Sequence, residues 1–260
     1  MESSSVSAVE SQRFILLPLY IYPDTAAWEP LFSAVLRHPN LQFTVVVNPA
    51  NGPGNRHATD ANYTASLLRL SSLANVTILG YVYCSYGERP LEALKLDIKT
   101  YRGWCGEQSI QVDGIFFDEA PSGAELVEYM AEVAENARET LGDVARGGAT
   151  TVIYNPGVFV DQAYYCSADY IAVFENRVAA WDSAYVYSNL DGLPDDLRAR
   201  SIAIGHSAGD TSMQMHFAEQ VACEAGFAGH FATTVGGYTQ WCPNWAAYVR
   251  RAGCWAEAED

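Results

Sequence analysis

Short apolar runs rich in β-branched and aromatic residues alternate along this chain with longer stretches whose apolar residues recur at helical spacing. Eight runs read as strands: Phe14–Ile21, Phe43–Asn48, Thr77–Tyr83, Gly114–Asp118, Thr151–Asn155, Tyr170–Glu175, Ser201–Gly205 and Gly229–Val235. Most are continuously apolar rather than alternating, the pattern of strands covered on both faces. Between them, Thr25 predicts the cap of a helix that reaches His38 and is stopped by Pro39. Asn62–Leu73 carries Leu67, Leu68, Leu70 and Leu73, and Leu91–Trp104 carries Leu91, Leu94, Ile98 and Tyr101. A long helix opens at Ser122 or Gly123 and runs to Leu141, where Gly142 ends it. Ala179–Tyr187, Thr211–Ala225 and Asn244–Ala252 complete the set, with the weakest helical pattern at Phe159–Cys166.

Strands that alternate with helices form a parallel sheet. Eight repeats predict an α/β fold closed into one (β/α)₈ barrel over residues 12–255, rather than an open doubly wound sheet. A dinucleotide-binding sheet would need a glycine-rich turn after its first strand, and here that strand runs into Tyr20-Ile21-Tyr22-Pro23-Asp24. The Ser-rich residues 1–11 and the acidic residues 256–260 read as flexible tails.

Composition narrows the partners. With 260 residues, 49% hydrophobic and 18% charged, the chain can bury a large core. A net charge of −16 repels phosphate backbones and anionic lipid, which disfavours nucleic acid and membrane and suits a neutral or cationic ligand. No stretch is long and apolar enough to span a bilayer. None of the six cysteines forms a C-x-x-C pair, so zinc and redox motifs are disfavoured, while a bridge among Cys223, Cys242 and Cys254 stays open. The N-terminus lacks the basic and apolar regions of a secretory signal, yet Asn62-Tyr63-Thr64 and Asn75-Val76-Thr77 are glycosylation sequons. The compartment is left open by that conflict.

In parallel barrels the C-terminal strand ends form the functional face. The residues there are Tyr20 and Tyr22, Asn48, Tyr83 and Tyr86, Asp118 and Glu119, Asn155, Glu175 and Asn176, His206, and Thr234. Tyr238 and Trp241, beyond the last strand, are candidate stacking residues. Acids and amides bond hydroxyls and aromatic rings stack on sugar faces, so the set suits a sugar. The scarcity of Lys and Arg at these exits argues against phosphate. On a pleated strand Asp118 shares a face with Gly114 and Phe116, while Glu119 points away or leaves the strand. A plainer reading makes these acids helix caps, since Pro121-Ser122-Gly123 follow. Glu175 closes an apolar run and by parity lies with Ile171 and Val173, aimed at a cleft or paired with Arg177. Strands four and six are two apart, so Asp118 and Glu175 can face each other across the mouth. Two facing carboxylates are the minimum equipment for glycoside hydrolysis. Two rivals remain: a metal-dependent hydrolase with Asp118, Glu119 and His206 as ligands, and a non-catalytic glycan-binding barrel.

The segments Leu-Pro-Leu-Tyr-Ile-Tyr-Pro, Val-Asn-Pro-Ala-Asn-Gly-Pro-Gly, Gly-Tyr-Val-Tyr-Cys-Ser-Tyr-Gly, Asp-Gly-Ile-Phe-Phe-Asp-Glu and Tyr-Asn-Pro-Gly, in this order, resemble spherulin-4-like proteins from about Phe14 to Trp255. The resemblance implies a (β/α)₈ glycoside hydrolase. It implies endo-cleavage of galactosaminogalactan, an α-1,4-linked galactosamine-containing polysaccharide; no metal or organic cofactor is implied, and the chain is expected to act as a monomer. The family's essential acids match Asp118, Glu119 and Glu175. The resemblance leans toward retention, with Asp118 as nucleophile or charge stabiliser, Glu175 as general acid/base and Glu119 as an orienting group. Fungal relatives of known role are secreted or membrane-anchored, which with the sequons points to the cell surface or beyond.

Overall fold

Because both faces of a barrel strand are covered, eight runs of buried apolar residues can close on themselves. In the computed structural model, which describes residues 13–54 and 59–257, they do so. The strands are β1 (Phe14–Leu19), β2 (Gln42–Val47), β3 (Val76–Tyr83), β4 (Gly114–Asp118), β5 (Thr151–Asn155), β6 (Tyr170–Arg177), β7 (Ser201–His206) and β8 (Gly229–Ala232). All pair in parallel in sequence order, and β1 closes on β8 through Phe14 with Gly229 and Ile15 with His230. The protein is thus a (β/α)₈ barrel. The predicted tail at 1–11 lies outside the described residues, whereas the chain's last helix runs on to Glu257, into the stretch read as an acidic tail.

The outer layer is α1 (Glu29–Arg37), α2 (Ala61–Ser71), α3 (Leu91–Gln108), α4 (Val127–Leu141), α5 (Ala184–Gly192), α6 (Asp195–Arg198), α7 (Thr211–Glu219) and α8 (Trp245–Glu257). Thr25 caps nothing: α1 starts four residues later, at Glu29-Pro30, without a side-chain cap. Proline early in a helix needs no donor of its own, so the missing cap costs less there. The cap of α2 is Asp60, whose Oδ1 accepts from the amides of Asn62 and Tyr63 at 3.0 and 2.9 Å. The crossover after β5, where the helical pattern is weakest, is a single 3₁₀ turn at Gln162–Cys166.

Two residues fix the lower end of β4. The Asp113 carboxylate, 3% exposed, accepts from the Ile78 and Arg146 amides at 2.8 and 3.1 Å, tying β3 and the start of β5 to β4. Next to it, Gly114 lies so close to β5 that a Cβ would stand 1.9 Å from the Thr151 carbonyl oxygen.

No disulfide joins Cys223, Cys242 and Cys254; the Cys242 sulfur instead lies 3.3 Å from the Thr234 hydroxyl. Of the two sequon asparagines, Asn75 is committed, its Nδ2 donating to the carbonyls of Val35, His38 and Leu41 at 3.2, 3.1 and 3.0 Å. Asn62 stands exposed at the start of α2.

On β8, the buried His230 shares a 2.7 Å hydrogen bond with the Tyr248 hydroxyl of α8. Burial first, and the Arg13 charge second, hold its imidazole pKa down at about 4, against 6.5 when exposed. The unfolded chain therefore takes up a proton that the folded one refuses. His230 gives its full stability above pH 6.5 and loses it as pH falls through 4, a loss of about 3 kcal/mol. Thermal midpoints measured from pH 7 to pH 4 should fall less steeply for His230→Gln than for the parent; equal slopes would exclude His230 as the sensitive group.

Candidate active site

Unbroken alternation on β4 decides where Asp118 points. Phe117 faces outward against Tyr154, ring centroids 5.9 Å apart, and the Tyr154 hydroxyl donates to the Met130 carbonyl of α4 at 2.8 Å. Phe116 and Asp118 therefore face the lumen. The Asp118 carboxylate accepts from the Tyr81 hydroxyl at 2.7 Å through Oδ2 and from Asn155 Nδ2 at 2.6 Å through Oδ1. Asn155 is its register partner on β5, so the bond follows from strand pairing.

Glu175 arrives by another route. The β6–β7 register slips between Ala172 and Phe174, which makes Val173 an extra residue. Alternation from Ile171 does not carry across such a bulge. Gly157 holds it open: its amide donates to the Ala172 carbonyl and its carbonyl accepts from the Glu175 amide, both at 3.1 Å. Gly157 has φ of 67°, a conformation that glycine adopts without strain. Thus re-aimed, the Glu175 carboxylate accepts from the Tyr238 hydroxyl at 2.6 Å and from the same Asn155 Nδ2 that serves Asp118.

One amide nitrogen therefore bridges the two acids. Burial, and then the Asp118 charge, push the Glu175 pKa up, opposed by the bonds from Tyr238 and Asn155. Tyr20 completes the floor, edge-on to Tyr81 and Tyr238 with centroids 5.5 and 5.6 Å away. Its phenol pKa is driven well up by burial and then by Asp118 and Glu175; those of Tyr81 and Tyr238 rise by burial and the acid each one touches. Three tyrosines thus stay protonated around two acids, and two of them, Tyr81 and Tyr238, donate to the carboxylates.

Asp118, Asn155, Glu175, Tyr20 and Tyr238 come together here. Tyr81 joins them without having been singled out from sequence, although it lies two residues before the Tyr83 exit and on the lumen side. Glu119 leaves the strand, with φ of 48°. The remaining candidates make their contacts elsewhere. Tyr22 donates to Asp60 at 3.1 Å, and the Asn48 Oδ1 accepts from the Gly52 amide at 2.9 Å. The Arg89 guanidinium, 2.6 Å from Asp97, covers the Tyr83 ring at 4.2 Å. The exposed Asn176 accepts from the Arg177 amide at 2.8 Å, and His206 Nδ1 lies 3.0 Å from the Ser207 hydroxyl. Burial, and then Arg177, lower the His206 pKa. Trp241 donates to the Ala27 carbonyl at 2.6 Å, pinning its loop to the segment after β1. Among the described residues, no three His, Cys, Asp or Glu side chains gather as a metal set would need.

Known proteins resemble this chain to different depths. Spherulin-4 of Physarum polycephalum is 31% identical over 184 residues, 68% of this chain and 51% of that protein, so the chain spans about half the length of this curated relative. The crystal structure of Aspergillus clavatus Sph3 in complex with GalNAc superposes with a TM-score of 0.82 at 31% identity, covering 93% of this chain and 98% of Sph3. A chitinase from Bacteroides thetaiotaomicron (TM-score 0.57, 10% identity, 95% and 97% covered) and an endo-β-N-acetylglucosaminidase from Cordyceps militaris (0.56, 12%, 94% and 90%) share the fold alone. The family profile described as spherulation-specific family 4 matches residues 14–252, nearly the whole barrel, and the chain belongs to that family.

Proposed function

We propose that this protein is a glycoside hydrolase that cleaves α-1,4-linked N-acetylgalactosamine and galactosamine polysaccharide of the galactosaminogalactan type, within the polymer and with retention of configuration. The observation that carries the reading is the Asn155 bridge between Asp118 and Glu175. The two hydrogens of a planar amide diverge by about 120°, so two carboxylate oxygens sharing them at such short range stand about 4–4.5 Å apart, with the carboxyl carbons somewhat farther. That spacing suits a carboxylate that attacks the sugar directly; inverting enzymes leave room for a water, with about 6.5–9.5 Å between acids. The similarity to Sph3, whose crystal structure holds GalNAc, supports the choice of sugar.

In this reading Glu175, whose raised pKa keeps a proton available, protonates the leaving glycosidic oxygen. Asp118 attacks the anomeric carbon or stabilises the positive charge that develops there. Tyr81 and Asn155 fix the Asp118 carboxylate in place. Glu119 orients the substrate. In an α-linked unit the 2-acetamido group is cis to the leaving oxygen and cannot attack from the opposite face, so an enzyme carboxylate must. Incubation with galactosaminogalactan should release oligomers resolvable by mass, and Asp118→Asn should release none above background. A parent that binds the polymer but yields no oligomers would make this a glycan-binding barrel. Activity lost to a chelator would favour metal-dependent hydrolysis.

A further inference from the structure

The turn after β3 has a backbone that its side chains do not explain. Ser85, Tyr86 and Gly87 have consecutive positive φ values of 49°, 54° and 91°, and Glu119, across at the β4 exit, has 48°. Glycine adopts this region freely, whereas a residue with a Cβ is strained in it. The two exits are stitched by backbone bonds: the Cys84 amide donates to the Asp118 carbonyl and the Tyr86 amide to the Glu119 carbonyl, both at 2.7 Å. Any residue but proline at position 86 would make that bond. The Tyr86 side chain gives the fold little in return. It is 64% exposed, and among the described residues its ring stacks on no other ring and its hydroxyl bonds no protein atom. Yet the residue sits beside the acids, its amide on the Glu119 carbonyl, and its phenol pKa is raised by partial burial and then by the charges of Glu119, Asp118 and Glu175. Strain kept at a residue that does not pack, beside a cluster of acids, is the mark of a site that binds.

Resting on the glycan reading above, we propose that Tyr86 is a sugar-stacking platform, its exposed ring carrying the apolar face of a pyranose of the bound polymer beside the acids. The left-handed Ser85–Gly87 turn presents that ring. The test uses the full chain, with Tyr86→Gly and Tyr86→Phe, and reads retardation by galactosaminogalactan in native gels, turnover and thermal midpoint. Tyr86→Gly should bind about tenfold more weakly, the loss of a stacked ring, with KM raised equally and kcat nearly unchanged. Its thermal midpoint should not fall, because glycine relieves the strain. Tyr86→Phe should bind like the parent. Parent-like binding by Tyr86→Gly, a lowered midpoint in that variant, or a Phe variant as weak as the Gly one would each overturn the platform. A parent that binds without cleaving, with binding still dependent on Tyr86, upholds the platform and removes only the hydrolytic reading; a parent that does not bind overturns both.

Discussion

Glu175→Gln should lower turnover on galactosaminogalactan by about 10²- to 10⁴-fold while leaving polymer binding in place. The substitution keeps shape and removes the proton. Glutamine can still accept from the Tyr238 hydroxyl or from Asn155, so the floor of the site stays built. Lost with the proton is protonation of the leaving oxygen. The pH profile provides a second check. Because the Glu175 pKa is raised by burial and by Asp118, activity of the parent falls as pH rises through that pKa, and the variant's residual activity lacks this limb. Stability follows the same pH direction. A raised folded-state pKa gives stability that is full below the unfolded value and is lost as pH rises through the folded one. At neutral pH the glutamate is therefore a burden, and Glu175→Gln should melt higher than the parent. Equal turnover in the two proteins would sink the role assigned to Glu175.

Gly114→Ala should prevent accumulation of folded protein, or lower the thermal midpoint by about 10 °C or more, consistent with a loss of about 4 kcal/mol in a domain of this size. The added methyl would meet backbone: the Thr151 oxygen at 1.9 Å, its carbonyl carbon at 2.7 Å and its nitrogen at 2.8 Å. No side chain can swing aside to make room. Relief requires β4 and β5 to part, which strains the amide bonds gathered on Asp113 and moves Asp118 against Asn155 at the other end of the same two strands. Circular dichroism melts would check it; an alanine variant melting with the parent would show that the two strands can separate without cost.

Much of this was readable in the chain. Continuous apolar runs give strands because both faces of each strand are buried, and all eight strand positions followed from that one pattern. Ends were less legible. Phe14–Ile21 stops at Leu19 and Gly229–Val235 at Ala232, since hydrophobicity outlasts pairing where loops pack over the barrel. Asp118 was legible because β4 alternates without interruption. The aim of Glu175 was not, because it depends on a bulge held by Gly157, a residue of a different strand's loop. Tyr81 escaped notice because it sits inside a strand rather than at its exit. Nor could the chain show that the Trp241 indole nitrogen donates to the Ala27 carbonyl, a contact 214 residues away in sequence.

The single nitrogen of Asn155 has a consequence for timing. In the proposed two-step cycle, attack by Asp118 would turn its carboxylate into an ester and remove the negative charge that faces Glu175 across Asn155. The repulsion that held the proton on Glu175 then disappears, and the shared donor is left to Glu175 alone. Both changes would lower the Glu175 pKa, so that once it has given up its proton it stays ionised, in the form that can act as base toward the incoming water. Release of Asp118 restores the charge and with it the acid. The alternation between giving and taking a proton is thus set by the chemical state of the neighbour, with no part of the barrel needing to move.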